Sequence, residues 1–436
     1  MIFFEIFLFV LPSIVLVLKS IQATDARWGY LLAGLYAYPL LVFTMISAEG
    51  YSIPSLLISV DTANNLRVGS HIILSSILIL QLINLRSPVL LDKNFIFALF
   101  TILWMLISVL FTQTGNGDIQ RGFLTLILAS NSFLFIPSIV QYNQKAVFRS
   151  ICWSVMFISI WLCLISVYVI YQYGFFPSWS NRLGRPFNSG ALSQLLVIGF
   201  ICSLYLFRYR FMALSLFGAT ILCASRLDTL LVLVLGVIYF FSSRRRLPYL
   251  FLIIPFAFLA FTWYSSFVAT LDRSPFQRSE FFSGRLDPWL SGVQFIEERP
   301  LFGNGTRTSA IEQGSDGIIE EVSIHRVHNL YLELMQSYGI LAGIFAALIY
   351  LSLFYRSLKH ITSISSSTSL FIGILVLIVT FSHTLVDTSS WTNLGDGITL
   401  LAFLIINIAM METKKVSIDK QISTKLKSSS FTPIST

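Results

Sequence analysis

Charge is scarce in this sequence. Asp, Glu, Lys and Arg together make up 11% of 436 residues, against 55% hydrophobic residues and a mean hydropathy of +0.77. That balance lies outside the range of soluble globular chains and excludes an ordinary soluble enzyme. Cysteine and histidine are scarce too. The four cysteines, Cys152, Cys163, Cys202 and Cys223, lie inside apolar stretches, with no CxxC pair and no histidine at ligand spacing. Neither a disulfide framework nor a metal site is indicated. No internal repeat is visible. No basic leader precedes the first apolar run either, since its first positive charge, Lys19, comes after it. The N-terminus is therefore expected to be a retained span.

What is present is apolar length. A bilayer-spanning helix takes roughly 20 residues. Thirteen such stretches can be drawn, at about 2–18, 28–46, 68–84, 95–111, 122–140, 150–171, 190–207, 210–223, 227–242, 248–270, 329–354, 367–382 and 397–411. Merging the close pair around Arg208 and Arg210 would leave twelve. The expected fold is all-α, a polytopic integral membrane protein of 12–13 transmembrane helices over residues 1–411, followed by a basic, Ser-rich tail at 412–436. The longest loop covers 272–328.

Alternating the spans divides the loops into two sets with unequal basic content. One set holds Lys19, Arg27, Arg86, Lys93, Lys145, Arg149, Arg208, Arg210, Arg244 to Arg246, Arg356, Lys359 and the tail lysines. Every lysine of the chain falls in that set, so the other set has arginine alone. By the positive-inside rule the lysine-bearing set is cytoplasmic, which places the N-terminus and the 272–328 loop outside and the tail inside. The net charge of +8 is then a topology signal and points to no nucleic acid. Arginine without lysine suggests an anionic ligand at the outer boundary, because the guanidinium fork grips phosphate bidentately and keeps its charge when partly desolvated. Snorkelling arginines paired with loop acids are the alternative.

Four outer segments stand out. Asn181 to Gly190 contains a tight bend, favoured by Gly184 and Pro186, that carries Arg182 and Arg185. In the short connection Ala224-Ser225-Arg226-Leu227-Asp228, Arg226 needs a partner at the bilayer edge, with Asp228 as the structural candidate and a ligand phosphate as the functional one. Around Arg285, Asp287 and Pro288 suggest a helix start. Leu286, Trp289, Leu290, Val293 and Ile296 then recur at helical spacing, so an amphipathic surface helix ending at Pro300 is expected. A glycine turn with Gly303 and Gly305 follows, whose amides could approach a phosphate. The last segment runs from His325 and Arg326 through His328 and Asn329 to Tyr331 and Met335. His328 at the mouth of a span is either an interfacial anchor or a base able to take a proton from a hydroxyl. His71 and His360 read as structural, and His383, near Asp387 on an outer loop, as a minor candidate.

Taken together these residues resemble a known family. Arg182-x-x-Arg185 with Asn188, Ser225-Arg226, Gly284-Arg285-x-x-x-Trp289, Glu298-Arg299-Pro300-Leu301-Phe302-Gly303-Asn304-Gly305, His328-Asn329-x-Tyr331-Leu332 and Gly339-Ile340-Leu341-Ala342-Gly343 are similar to the O-antigen ligase and Wzy-type polymerase superfamily over residues 180–350. The chain departs from many relatives at Asn188-Ser189-Gly190, where they carry Asn-Pro-Asn. The resemblance implies a GT-C-like helical fold and a bacterial inner-membrane, inverting glycosyltransferase. It would act at the periplasmic face on undecaprenyl-diphosphate-linked glycans, without metal or cofactor. It implies Arg226 and Arg285, with Arg182 and Arg185, as diphosphate ligands and His328 as the residue that activates the acceptor hydroxyl. Asn329, Tyr331, His325, Arg326, Gly303 and Gly305 would be supporting residues. The expected activity is polymerisation of repeat units, alongside a flippase and a chain-length regulator. A ligase that moves the glycan to lipid A core is the close alternative, and a lipid-linked glycan transporter is the alternative from another class. Transporters usually show repeated halves and midplane polar sites.

Overall fold

The computed structural model describes residues 2–42, 60–85, 93–112, most of 123–173, 189–206, 210–223, 225–241, 286–305, 309–313, 319–323, 329–359, 369–386 and 398–411. They form a helical body, as the apolar runs predict. In chain order it comprises α1 (Ile2–Gln22), α2 (Arg27–Leu31, continuing into a π-helical stretch Leu32–Ala37), α3 (Val60–Leu85), α4 (Lys93–Thr112), α5 (Thr125–Val140), α6 (Gln144–Tyr173) and α7 (Ser189–Tyr205). Next come α8 (Arg210–Leu222), α9 (Arg226–Phe241), α10 (Leu286–Glu298), α11 (Leu330–Tyr338), α12 (Ile340–Lys359), α13 (Ser369–Val386) and α14 (Ile398–Met411). Among the described residues three helices, Lys93–Thr112, Gln144–Tyr171 and Ile340–Lys359, are long and apolar enough to cross a membrane by length and composition. Helices coincide with every drawn span except 248–270, which lies outside the described residues. The close pair around Arg208 and Arg210 is resolved into two helices, α7 and α8, packed on each other.

The spans meet at two ends. At one, Lys19, Lys145, Arg149 and Leu206 line a single cleft. At the other, the starts of α9 and α11 meet the end of α13.

Three features differ from the sequence reading. The expected span 329–354 is two helices broken at Gly339, which has φ +87° and caps α11 by donating its N–H to Met335 O at 2.8 Å. A Cβ at Gly339 would lie 1.8 Å from Leu301 O, so only glycine allows the loop to pass there. The amide after the break, Ile340 N–H, donates to Pro300 O at 2.8 Å. Second, α6 starts at Gln144 rather than near 150, so Lys145 and Arg149 belong to its first turns and not to a loop. Third, the 272–328 stretch contains an antiparallel ribbon as well as a helix: β1 (Ser309–Gln313) pairs with β2 (Ile319–Ser323) in the register Ser309 with Ser323 and Gln313 with Ile319. Its signal in the sequence is Gly314-Ser315-Asp316-Gly317 between two short strand-like runs.

The π-helical stretches Leu32–Ala37 and Asn131–Phe135 each deliver a polar side chain into the bundle. Tyr36 Oη lies 2.7 Å from His71 Nδ1 and accepts from Asn131 Nδ2 at 2.8 Å, while Asn131 also donates to Ser75 Oγ at 3.0 Å. His71 is fully buried within this network, in keeping with its structural reading.

Candidate functional site

The site is built from two helix starts and one helix end. Helix α9 begins at Arg226 with Ser225 before it, and Ser225-Arg226-Leu227-Asp228 has the spacing of a capping box. Asp228 N–H points to Ser225 Oγ at 3.5 Å, and Ser225 Oγ donates to Asp228 Oδ2 at 2.6 Å. The other carboxylate oxygen, Oδ1, lies 2.7 Å from His383 Nε2. Asp228 is 0% exposed and His383 4% exposed. A carboxylate in so dry a setting requires such partners. Asp228 thus has Oδ2 engaged by Ser225 and Oδ1 by His383.

Helix α11 begins after Asn329, whose Oδ1 accepts from the N–H groups of Tyr331 at 3.0 Å and Leu332 at 3.1 Å. These bonds satisfy amides that a helix start leaves without intrahelical partners. The other end of the Asn329 amide donates to Leu385 O at 3.0 Å. One residue earlier on α13, Thr384 Oγ1 lies 3.1 Å from Tyr331 Oη. Three consecutive residues at the end of α13, His383, Thr384 and Leu385, thus hold the starts of both α9 and α11. Each of those helices directs about half a positive charge from its N-terminus. This junction fixes the backbone of Arg226 and of the residue that follows His328.

The glycine turn takes a different part from the one expected of it. Gly303 and Gly305 have φ +68° and +78°. Their amides, together with that of Asn304, are already bonded: Gly303 N–H donates to Arg299 O at 3.0 Å, Asn304 N–H to Gln336 O at 2.8 Å and Gly305 N–H to Ser337 O at 2.9 Å. In this structure the amides expected to approach a phosphate instead satisfy carbonyls, two of them in the last turn of α11, which that helix leaves open. A Cβ on Gly303 would lie 2.5 Å from the backbone of Ser337 and Tyr338, so the glycine serves backbone-to-backbone docking. Phe302 stacks on Trp104 and Phe111 of α4, its carbonyl accepts from Ser108 Oγ, and Trp104 Nε1 donates to Leu301 O at 3.2 Å and Tyr338 O at 3.0 Å.

Helix α10 forms over the stretch expected to be amphipathic. Gly292 and Ile296 are buried while Leu290 and Val293 are exposed, and Asn304 Nδ2 donates to Phe295 O at 2.8 Å to hold its inner side. The helix thus carries apolar side chains on its exposed face, as expected of a helix at a bilayer surface.

Of the residues singled out from the sequence, Asn329 and Tyr331 are brought to the junction and Gly303 and Gly305 to the docked turn. Arg226 is placed by its backbone as the first residue of α9, and nothing further is described for its side chain. Arg182, Arg185, Arg285, His325, Arg326 and His328 lie outside the described residues. The sequence reading undervalued His383, which stands in α13 and not on a loop, and did not connect it with Asp228. Ser225-x-x-Asp228 could have flagged the cap, but no sequence signal joins Asp228 to a histidine 155 residues away.

No curated protein matches the chain. Residues 188–347 match the family model described as O-Antigen ligase, close to the 180–350 stretch that carries the resemblance.

Proposed function

We propose that the chain is an inverting glycosyltransferase that polymerises undecaprenyl-diphosphate-linked repeat units at the periplasmic face of a bacterial inner membrane. The observation that carries this reading is the junction at the end of α13, which ties the helix starting at Arg226 to the helix starting just after His328. In the proposed step an acceptor hydroxyl oxygen attacks the anomeric carbon and its proton passes to His328. The bond from that carbon to the diphosphate oxygen breaks, and the diphosphate leaves with the electron pair. Arg226 and Arg285, supported by Arg182 and Arg185, neutralise the leaving group. Charge-assisted hydrogen bonds of this kind are worth about 1.5–3 kcal/mol each, and general-base help is worth about 10²- to 10⁴-fold. Stabilising the leaving charge is the task a preorganised cationic site performs best.

A ligase that delivers a finished glycan to a lipid A core or another acceptor is the second reading, favoured by the description of the matching family. A flippase and a chain-length regulator are the partners expected of a polymerase. Purified protein in liposomes, given lipid-linked repeat units on its outer side, separates these readings. Oligomer ladders from the repeat alone support the polymerase, and dependence on an added acceptor supports the ligase. Movement of lipid without bond formation would overturn both. Arg226→Ala, Arg285→Ala and His328→Ala should each abolish product while leaving membrane insertion intact, and full activity in all three would overturn the site.

A further inference from the structure

At the end opposite the junction, the helices enclose a cleft of about 1020 Å³ between the end of α1, the start of α6 and the end of α7. Its walls include Lys19, Lys145 and Arg149, with Tyr30, Trp153 and Tyr205. Among the described residues no carboxylate lines it. Lys19 Nζ sits 4.4 Å from the centroid of the Trp153 ring, and Tyr30 meets the same ring edge-on at 5.8 Å. Among the described residues Lys145 and Arg149 have no hydrogen-bond or ion-pair partner. Both lie in the first turns of α6, whose N-terminus adds its own partial positive charge.

Three cations converging on one concavity repel one another unless an anion joins them. Basic residues serving only as topology signals would gain by spreading apart. Its aromatic neighbours, Tyr30, Trp153 and Tyr205, are of the residue types that concentrate at headgroup depth. Helix α8, 13 residues long and so about 20 Å at 1.5 Å per residue, lies between the end of α7 at the cleft and the start of α9 at the junction. We propose that this cleft is an anion site for a phosphate group of net negative charge, held by Lys19, Lys145 and Arg149 on the membrane face that the lysines mark as cytoplasmic. The group arrives either on a lipid headgroup or as free phosphate. The site stands independently of the transferase reading.

The test uses the full chain in neutral detergent with dioctanoyl phosphatidic acid, dioctanoyl phosphatidylcholine and inorganic phosphate as probes. Trp153 fluorescence is isolated as the difference between the wild type and Trp153→Phe. The acidic lipid should give a saturable change, weakened tenfold or more in Lys145→Gln/Arg149→Gln, and phosphatidylcholine should not reproduce it. Competition by inorganic phosphate would identify free phosphate as sufficient, and its failure to compete would assign the lipid headgroup. Both substitutions fall on exposed positions of α6, so they leave the packing intact. Native mass spectrometry, which does not depend on Trp153, should show one fewer retained phosphatidic acid in the double variant. Absence of saturable binding, equal binding by phosphatidylcholine, or an unchanged lipid count in the double variant would overturn the proposal.

Discussion

His383 Nε2 lies 2.7 Å from Asp228 Oδ1, a contact that joins the last turn of α13 to the first turn of α9 across 155 residues of sequence. Both groups are buried, so neither can exchange its partner for water. Removing one member of such a pair leaves the other uncompensated, which typically costs about 3–5 kcal/mol. Asp228→Ala should therefore lower the thermal unfolding midpoint in detergent markedly. Asp228→Asn, which keeps a hydrogen-bonding group beside His383, should lower it less. Equal midpoints for Asp228→Ala and wild type would show that the pair does not hold the two helices.

The break between α11 and α12 gives a sharper packing test. Gly339→Ala sets a methyl group 1.8 Å from Leu301 O at a positive φ, so the turn at 301–305 cannot dock and folded protein should be largely lost from the membrane. Gly218→Ala is the matching control, since nothing lies within 4 Å of the added Cβ in the interior of α8. That change should be neutral or stabilising by about 0.5–1 kcal/mol. Yield of monodisperse protein checks the pair, and similar yields for both would contradict the docking described.

Asn329 performs two tasks that substitutions can separate. Asn329→Asp keeps an acceptor for the amides of Tyr331 and Leu332 but loses the donation to Leu385 O, whereas Asn329→Ala loses both. Loss of an N-cap costs about 0.5–2 kcal/mol. If the link to α13 positions the residue before it, Asn329→Asp should reduce turnover at least tenfold with little change in unfolding midpoint. Wild-type turnover in Asn329→Asp would confine Asn329 to a capping role.

Orientation can be read by chemical access. The native cysteines Cys152, Cys202 and Cys223 are buried and Cys163 is half-buried, so they should react slowly. New cysteines at the exposed positions Asp25 and Gln294 should label from opposite sides of the membrane with an impermeant maleimide, Asp25→Cys from the cytosol and Gln294→Cys from outside. Labelling of both from the same side would break the assignment of loops.

Much of the helical body was legible in the sequence because each apolar run must satisfy its own backbone hydrogen bonds in lipid, and a helix does so locally. The lysines were legible as a pattern too, since all of them fall in one of the two sets of loops. A helix around Trp289 was written in a short local pattern of the same kind, although it begins at Leu286 and not after Asp287. Gly339 was visible as a residue, but its effect was not, since the break follows from Leu301 O passing within a methyl radius of it. The same holds for Gly303 and Gly305, whose amides were expected to face a ligand and are bonded instead to residues of α10's end and α11.

Composition and apolar length are enough to make this chain a bundle of membrane helices, because solvation in lipid acts residue by residue. Only the tertiary structure decided that His383 belongs to Asp228, that Asn329 bridges to Leu385, and that Lys19, Lys145 and Arg149 share one cleft. Those relationships depend on which helices become neighbours, and that is set by side-chain packing between segments far apart in the chain, which no local pattern encodes.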